Sequence, residues 1–388
     1  MPEDVPLIFA CTHPNSAVDY TFLPIITKKQ SFVMVRGDVF ANKWLDKFLR
    51  AMWMLPVYRM RDGFKSVSKN EGSFRECFKE FDKNGRTLIF SEGTSIQEKK
   101  LQPLMKGTAR LAIDYMLGGG KKEIYVVPMA NNYSRFNQFR STVMTHFGKP
   151  IKVSPYIDSK ADNQAKGYQR LSKDVHSALD KLLIQQSNYD ADSWTERALN
   201  VLRLNRLDER RDWVIADAGP FNEELRLTQY LEEKGEDALP EDWKARYDDL
   251  AMDELSEGML RKSRSKLVQW AVLISLSMIM GLAYVIHFIP YQLARWIARN
   301  KIKDPLFENT IMTIGSAVFY LIQFTLILIV LTIALGWAGF VTACSVLAVT
   351  AIYIEVVDDF RFAQHNVSRL KRHEDYKQLH RDLMELID

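Results

Sequence analysis

From Ile311 to Ile354 the chain runs for 44 residues without an Asp, Glu, Lys or Arg. A bilayer-spanning helix needs about 20 apolar residues, and inside hydrocarbon every backbone N–H and C=O must be paired within helices or a closed barrel. The stretch therefore has room for two spans, turning at Gly336-Trp337-Ala338-Gly339. A second charge-free run covers the 24 residues from Leu267 to Pro290. Basic clusters flank both runs: Arg261, Lys262, Arg264 and Lys266 before 267–290, Arg295, Arg299, Lys301 and Lys303 after it, and Arg361, Arg369, Lys371 and Arg372 after 311–354. Positive residues favour the cytoplasmic side. Keeping all three clusters there requires an even number of crossings. On this reading 311–354 is a hairpin and 267–290 is re-entrant, bending near Gly281 or Pro290. Three full spans, with one basic cluster outside, is the rival.

The rest of the chain is polar, and its charge is segregated. Residues Asp190 to Glu257 hold 20 acidic and 9 basic residues, a net of −11. The chain as a whole is +4, which leaves +15 for the remainder. A basic remainder suits anionic partners: a phosphate-bearing substrate, an anionic membrane surface or nucleic acid. Cys11, Cys77 and Cys344 have no paired spacing, so neither a disulfide framework nor a CxxC metal site is expected. Cys11 lies close to His13, which raises a Cys-His nucleophile; because it ends an apolar run, a buried strand cysteine is the stronger reading. Met1 to Ala10 has acidic residues and only a short apolar stretch, unlike a cleavable signal peptide.

Up to about Ser187 short β-rich runs alternate with helical stretches. The runs are 6–11, 31–35, 87–91, 124–130 and 142–148, and helices are expected over 41–53 and 73–85. This order predicts an α/β layer domain over residues 1–187. Residues 188–266 read as an acidic helical arm of charged amphipathic helices, punctuated by Gly219-Pro220 and Leu239-Pro240. The membrane region, 267–356, follows, and then a charged C-terminal helix over 357–388.

Four short elements in the first domain carry chemistry. His13-Pro-Asn-Ser-Ala-Val-Asp19 follows an apolar strand. A neutral imidazole takes a hydroxyl proton near pH 7, and a carboxylate on its far nitrogen fixes the tautomer. Six residues along one helix rotate by about 600°, which separates the two side chains. The pair can meet only if His13 sits on a turn before the helix, as Pro14 and Asn15 suggest. Leu55-Pro-Val-Tyr-Arg59 brings Arg59, and nearby Arg61, out of an apolar run, and arginine suits bidentate phosphate contacts. In Phe90-Ser-Glu-Gly-Thr94, Gly93 permits close backbone approach, with N–H groups that can bind a phosphate or oxyanion. Glu92 there is a hydrogen-bond partner for a polar head group or for neighbouring backbone. Val126-Val-Pro128 reads as the closing of a strand.

In this order the four elements resemble the glycerolipid acyltransferase family of glycerol-3-phosphate and lysophosphatidic acid acyltransferases, over roughly residues 5–155. That family carries an H-x(4 or 5)-D box, an arginine-bearing apolar box, an F-P-E-G-T box and a V-P box. The resemblance implies a catalytic base at His13 oriented by Asp19, phosphate binding by Arg59, and an acceptor site containing Glu92, Gly93 and Thr94. It implies acyl-CoA or acyl-carrier protein as donor, no cofactor and no metal. Its anionic partners are lipids, with no nucleic acid. The expected reaction is acylation of 1-acyl-sn-glycerol 3-phosphate in phospholipid biosynthesis, with glycerol 3-phosphate or another lysophospholipid as alternative acceptor. A non-catalytic membrane adaptor whose acidic arm binds a partner is the alternative from another class. Ser91 replaces the family's usual Pro, and Trp53 sits where a Gly is often found. Pro290-Tyr291 followed by Lys303-Asp-Pro-Leu-Phe307 looks like a bacterial branch, which implies an inner-membrane enzyme with its site facing the cytoplasm.

Overall fold

The computed structural model describes residues 2, 4–27, 29–59, 68–136, 141–157, 164–205, 218–250, 252, 266–301, 311–348 and 373–387. Arg61, Lys303 to Phe307, the basic residues 261–264 and 361–372, and the end of the 311–354 run lie outside them. The chain divides into two units, Met1–Tyr189 and Asp190–Asp388.

The first unit is built on β1 (Leu7–Cys11), α1 (Phe22–Thr27), β2 (Phe32–Arg36), α2 (Lys43–Ala51), β3 (Met54–Val57), α3 (Asn70–Phe81), β4 (Arg86–Phe90), α4 (Gly107–Leu117), β5 (Tyr125–Tyr133), β6 (Val143–Phe147), β7 (Ile151–Lys152) and α5 (Ala165–Asp180). The strand order is β3-β2-β4-β1-β5-β6, with β7 also on β5. The five strands from β3 to β5 are parallel, and β6 and β7 pair with β5 antiparallel. A central parallel strand needs apolar residues on both faces. β1 meets this with five residues that have no exposure. Ile8 and Ala10 face a core shared with Cys77 and Phe81 of α3, Leu111 of α4 and Leu171 of α5. Leu7, Phe9 and Cys11 face the other core, with Leu23 of α1 and Phe40.

The β1 chain leaves toward β2 on one side, whereas the β4 chain crosses β1 to reach β5 on the other. In open α/β sheets, ligands bind outside the carboxyl ends of strands where the connections diverge in this way. Cys11 and Phe90, register partners at those ends, place both following loops there.

Pro128 does not close a strand. It lies inside β5, which continues to Tyr133. Its missing N–H faces the gap between the β6 and β7 pairings, where Gly148 donates to the Pro128 carbonyl at 2.8 Å. No ladder bond is lost, which is the condition for Pro in a sheet.

The second unit has α6 (Trp194–Asn205), α7 (Gly219–Lys234), α8 (Glu241–Asp249), α9 (Lys266–Lys301), α10 (Ser316–Leu335), α11 (Trp337–Ala348) and α12 (His373–Ile387). Pro220 lies in the first turn of α7 and Pro240 caps α8, so both expected breaks are helix starts. The arm and the C-terminal helix share one core: Leu199 and Leu202 of α6, Leu227 of α7, Trp243 and Tyr247 of α8, and Leu379 and Leu383 of α12. The Trp243 indole donates to the Leu379 carbonyl at 3.0 Å. Arg203 is buried between Glu196 at 3.1 Å and Glu224 at 2.8 Å.

The expected bend in 267–290 is not there. α9 is one helix of 36 residues that passes through Gly281 and Pro290. Pro290 has no N–H to give the carbonyl of Ile286, one turn back. Gln323 of α10 donates to that carbonyl instead, at 2.9 Å, and Tyr320 donates to the His287 carbonyl at 3.4 Å. A neighbouring helix thus completes the backbone pairing that Pro removes, and the helix continues. These contacts run antiparallel between α9 and α10. After α10 the chain turns at Gly336, with φ +58°, and a Cβ on Gly339 would lie 1.8 Å from the Leu331 carbonyl oxygen. Of the 336–339 segment expected as a turn, Gly336 makes the turn and Trp337 already opens α11, with Gly339 packed against the Leu331 carbonyl. Among the described residues, one helix, Ser316–Leu335, is long and apolar enough to cross a membrane.

Candidate active site

His13 leaves the end of β1 on a short loop, and a single 3-10 turn, Ser16–Val18, carries the chain to Asp19. A tight turn in place of an α-helix lets residues six apart meet. His13 Nδ1 lies 3.0 Å from Asp19 Oδ2. Asp19 is fully buried and the His13 side chain is 19% exposed. The Asn15 N–H donates to the same Asp19 oxygen at 2.8 Å, and the Tyr133 hydroxyl donates to Oδ1 at 2.6 Å. The imidazole stacks on Phe90, with ring centroids 3.8 Å apart. Aspartate on Nδ1 and an aromatic ring on one face fix the histidine plane, so Nε2 remains for a substrate proton.

Glu92 follows β4 into the same place, but both of its oxygens bind backbone. One accepts from the His13 N–H at 2.6 Å and the other from the Gln102 N–H at 3.0 Å. Of the two partners the sequence allows, the observed one is neighbouring backbone: Glu92 ties the β1 loop to the segment after β4. Burial pushes its carboxyl above the usual range, against the pull of those two N–H groups and of His13.

Gly93 has φ +66°, and a Cβ there would lie 2.8 Å from Met105 Cγ. Its N–H donates to the Phe90 carbonyl at 3.1 Å, so it is not the open anion donor the sequence suggested. Its carbonyl accepts from Arg59 Nη1 at 2.7 Å. Arg59 therefore reaches the β4 loop, although β3 and β4 are separated by β2 in the sheet. Thr94 is half-buried in the same loop, and Ser95 Oγ accepts from the Ser16 N–H at 3.0 Å. His13, Asp19, Arg59, Glu92, Gly93 and Thr94 thus share the carboxyl end of the sheet.

Cys11 is buried in β1, and burial with Asp19 and Glu92 nearby pushes its thiol well up. It is a strand cysteine, with no thiolate to offer. Ser91, where the family has Pro, donates its N–H to the Cys11 carbonyl at 3.0 Å, and its hydroxyl pairs with Thr108 at 2.9 Å. Trp53 has φ +61°, a conformation that suits glycine. Its ring packs on Phe32 at 5.0 Å.

Sequence reasoning missed Tyr133. It lies 114 positions from Asp19, and nothing local marks it. The register that puts β5 beside β1 is the only route to it.

A histidine held by a buried carboxylate at the carboxyl end of a parallel sheet is an arrangement that can serve as a general base. Residues 1–132 match the Acyltransferase family model. Two Saccharomyces cerevisiae proteins are similar to this chain. Glycerol-3-phosphate O-acyltransferase 2 is 28% identical over 130 residues, 33% of this chain and 18% of that protein. Glycerol-3-phosphate O-acyltransferase 1 is 29% identical over 102 residues, 26% of this chain and 13% of that protein. The chain spans less than a fifth of the length of these relatives. Among solved structures, the 1-acyl-sn-glycerophosphate (LPA) acyltransferase PlsC from Thermotoga maritima aligns with a TM-score of 0.30 at 12% identity, covering 49% of this chain and 70% of that one. Residues 1–132 thus carry an acyltransferase domain similar to that of the glycerol-3-phosphate acyltransferases.

Proposed function

We propose that the chain transfers a fatty acyl group from a thioester, carried on CoA or acyl-carrier protein, to the free hydroxyl of 1-acyl-sn-glycerol 3-phosphate. The observation that carries this reading is the His13–Asp19 contact, with Asp19 buried and held by two further donors. Asp19 keeps the proton on Nδ1, so Nε2 is the base. It takes the hydroxyl proton as the acceptor oxygen attacks the thioester carbonyl. The tetrahedral intermediate collapses, the C–S bond breaks, and the imidazolium returns the proton to the leaving thiolate. Ester and free thiol are the products. Arg59 offers a guanidinium for the acceptor's phosphate, and the reading calls on no metal.

Glycerol 3-phosphate is the second reading of the acceptor, favoured by the names of the two yeast relatives. Both acceptors join a phosphate to a free hydroxyl, which suits one base and one arginine. Purified protein in detergent, given an acceptor panel and analysed by mass spectrometry, separates them. His13→Ala should lower turnover by roughly 10²–10⁴-fold, with Asp19→Asn nearly as damaging. Unchanged turnover in His13→Ala removes the mechanism. No turnover on any acceptor by the parent protein leaves the adaptor reading.

The same proposal places the chain in a membrane, with the catalytic domain on the cytoplasmic side. The shared core of α6, α7, α8 and α12 supports an even number of crossings, since the chain before and after the apolar helices meets in one cluster. The antiparallel contacts of α9 with α10 favour that pair as the two crossings. A single cysteine label at Arg299 should then react from the side opposite a reporter fused after Asp388. Both reacting from the same side restores the 311–354 hairpin. Release of the chain by carbonate or high salt alone removes the integral-membrane reading.

A further inference from the structure

α2 is the most amphipathic surface element of the catalytic unit, and it presents the wrong side to water. Its sequence, KWLDKFLRA, with Met52 at the C-cap, spaces Trp44, Phe48 and Met52 at i, i+4 and i+8, one row along the helix and its cap. These three are 75%, 50% and 49% exposed. Leu45 and Leu49 lean toward the domain, and no α2 residue is buried. Trp44 and Phe48 stack with ring centroids 6.0 Å apart, which makes the row one continuous apolar ridge. Lys43 and Lys47 are exposed beside it. Asp46, the helix's one acidic residue, is held by Arg50 at 2.9 Å. The charge that α2 shows to its surroundings is therefore positive.

An outward aromatic row edged by lysines is the pattern of a helix lying in the plane of a bilayer interface. Its rings sit at headgroup level and its lysines meet anionic lipid. We propose that α2 is a membrane-contacting helix, and that its partner is an anionic lipid surface. Two observations choose a bilayer over a protein partner. The lysine edge complements anionic headgroups, and the same chain carries Ser316–Leu335, a helix with mean hydropathy 2.6 and no burial. A bilayer is thus an apolar phase this chain is already fitted to meet.

The position gives the contact a use. The turn Gly37–Ala41 joins the carboxyl end of β2 to α2, and Gly37 lies so close beneath Tyr58 that a Cβ would sit 2.2 Å from its ring. Tyr58 precedes Arg59. The helix therefore starts at the end of the sheet that holds the candidate site, and runs only ~14 Å from there. Lipid at α2 brings an amphiphilic acceptor to that end without moving its chains through water. This use rests on the proposed acyl transfer; the contact itself does not.

The test uses the full chain in nanodiscs, in a Cys344→Ser background that leaves only the two buried cysteines. A fluorophore is placed by Ala51→Cys, on the outward side of α2, by Lys79→Cys on α3, or by Ile329→Cys in α10. Lipids brominated in the acyl chain serve as quenchers. Quenching at positions 51 and 329 but not at 79 is expected, with the signal at 51 reduced severalfold by Lys43→Glu/Lys47→Glu or by removal of anionic lipid. Quenching at 329 alone overturns the contact and leaves the membrane reading standing. Energy transfer between labels at 51 on separate chains, unaffected by lipid charge, also overturns it, since the ridge would then be covered by a second copy.

Discussion

The Tyr133 hydroxyl donates to Oδ1 of Asp19 at 2.6 Å, the carboxylate oxygen that His13 does not use. Burial and the neighbouring Asp19 push this phenol well above its ordinary pKa, so it stays a donor through the working pH range. Hydrogen bonds to charged groups are worth about 1.5–3 kcal/mol. Tyr133→Phe should lower kcat about tenfold or more, with KM for donor and acceptor unchanged. A carboxylate that loses a donor is easier to protonate, so the acid limb of the pH–rate profile should move to higher pH. A fall in kcat with an unmoved profile would mean that Tyr133 acts through packing alone.

Arg59→Ala should raise the acceptor's KM more than the donor's, because the guanidinium stands beside the candidate site and phosphate is its natural partner. Arg59 also holds the Gly93 carbonyl. Arg59→Lys tests the two contributions apart: a lysine keeps the charge and loses the planar fork. Initial-rate kinetics with both substrates varied give the answer. A weakened donor with an unchanged acceptor would assign Arg59 to the donor's phosphates.

Glu92 makes a prediction about pH and stability. Its folded-state pKa lies above 4.5, so the folded protein holds this proton more tightly than the unfolded chain does. The contribution from this group is fullest below 4.5 and is lost as pH rises through that value to the folded-state pKa. Glu92→Gln removes the slope. It also turns an amide N–H₂ toward one of two backbone donors, at a cost of about 1–3 kcal/mol. Denaturant melts should show the variant less stable than the parent at every pH, with the gap narrowing as pH rises through this window. A gap that widens would mean the two N–H bonds outweigh burial.

Gln323→Leu leaves the Ile286 carbonyl without the donor that replaces Pro290's missing N–H. Interhelical hydrogen bonds in membranes are worth about 0.6–2 kcal/mol. A loss of that size is expected in detergent unfolding. Pro290→Ala restores an N–H at that turn, so the same Gln323 substitution should cost less in its background. Equal costs in both backgrounds would show that the pairing does not depend on the proline.

Much of this was legible in the chain, for identifiable reasons. The strands of the α/β domain declare themselves because a buried parallel strand such as LIFAC must be apolar on both faces. His13 and Asp19 are near in sequence, so only the type of turn between them was open. The rest depended on long-range register. Pro128 looks like an end when read alone, and only the gap between β6 and β7 shows why it sits inside β5. Pro290 looks like a bend until Gln323, 37 positions away, is seen to supply the pairing. Trp53 stands where the resemblance expects a glycine, and its left-handed φ of +61° is a conformation that suits glycine, with its ring packed on Phe32.

The order in which the chain is made gives the arm's core another meaning. Every described strand of the sheet lies before residue 153, and α5, which completes its core with Leu171, Val175 and Leu179, ends at Asp180, so that unit has these parts while more than half of the chain is still unmade. The arm differs. Trp243 donates to Leu379 across 136 positions, and Leu383 belongs to the same cluster. Domains fold as units as they emerge from the ribosome. The arm's core therefore stays incomplete, with Trp243 and Leu202 uncovered, until α12 has been made. Removal of α12 is a lesion of the arm, felt as far upstream as Leu199.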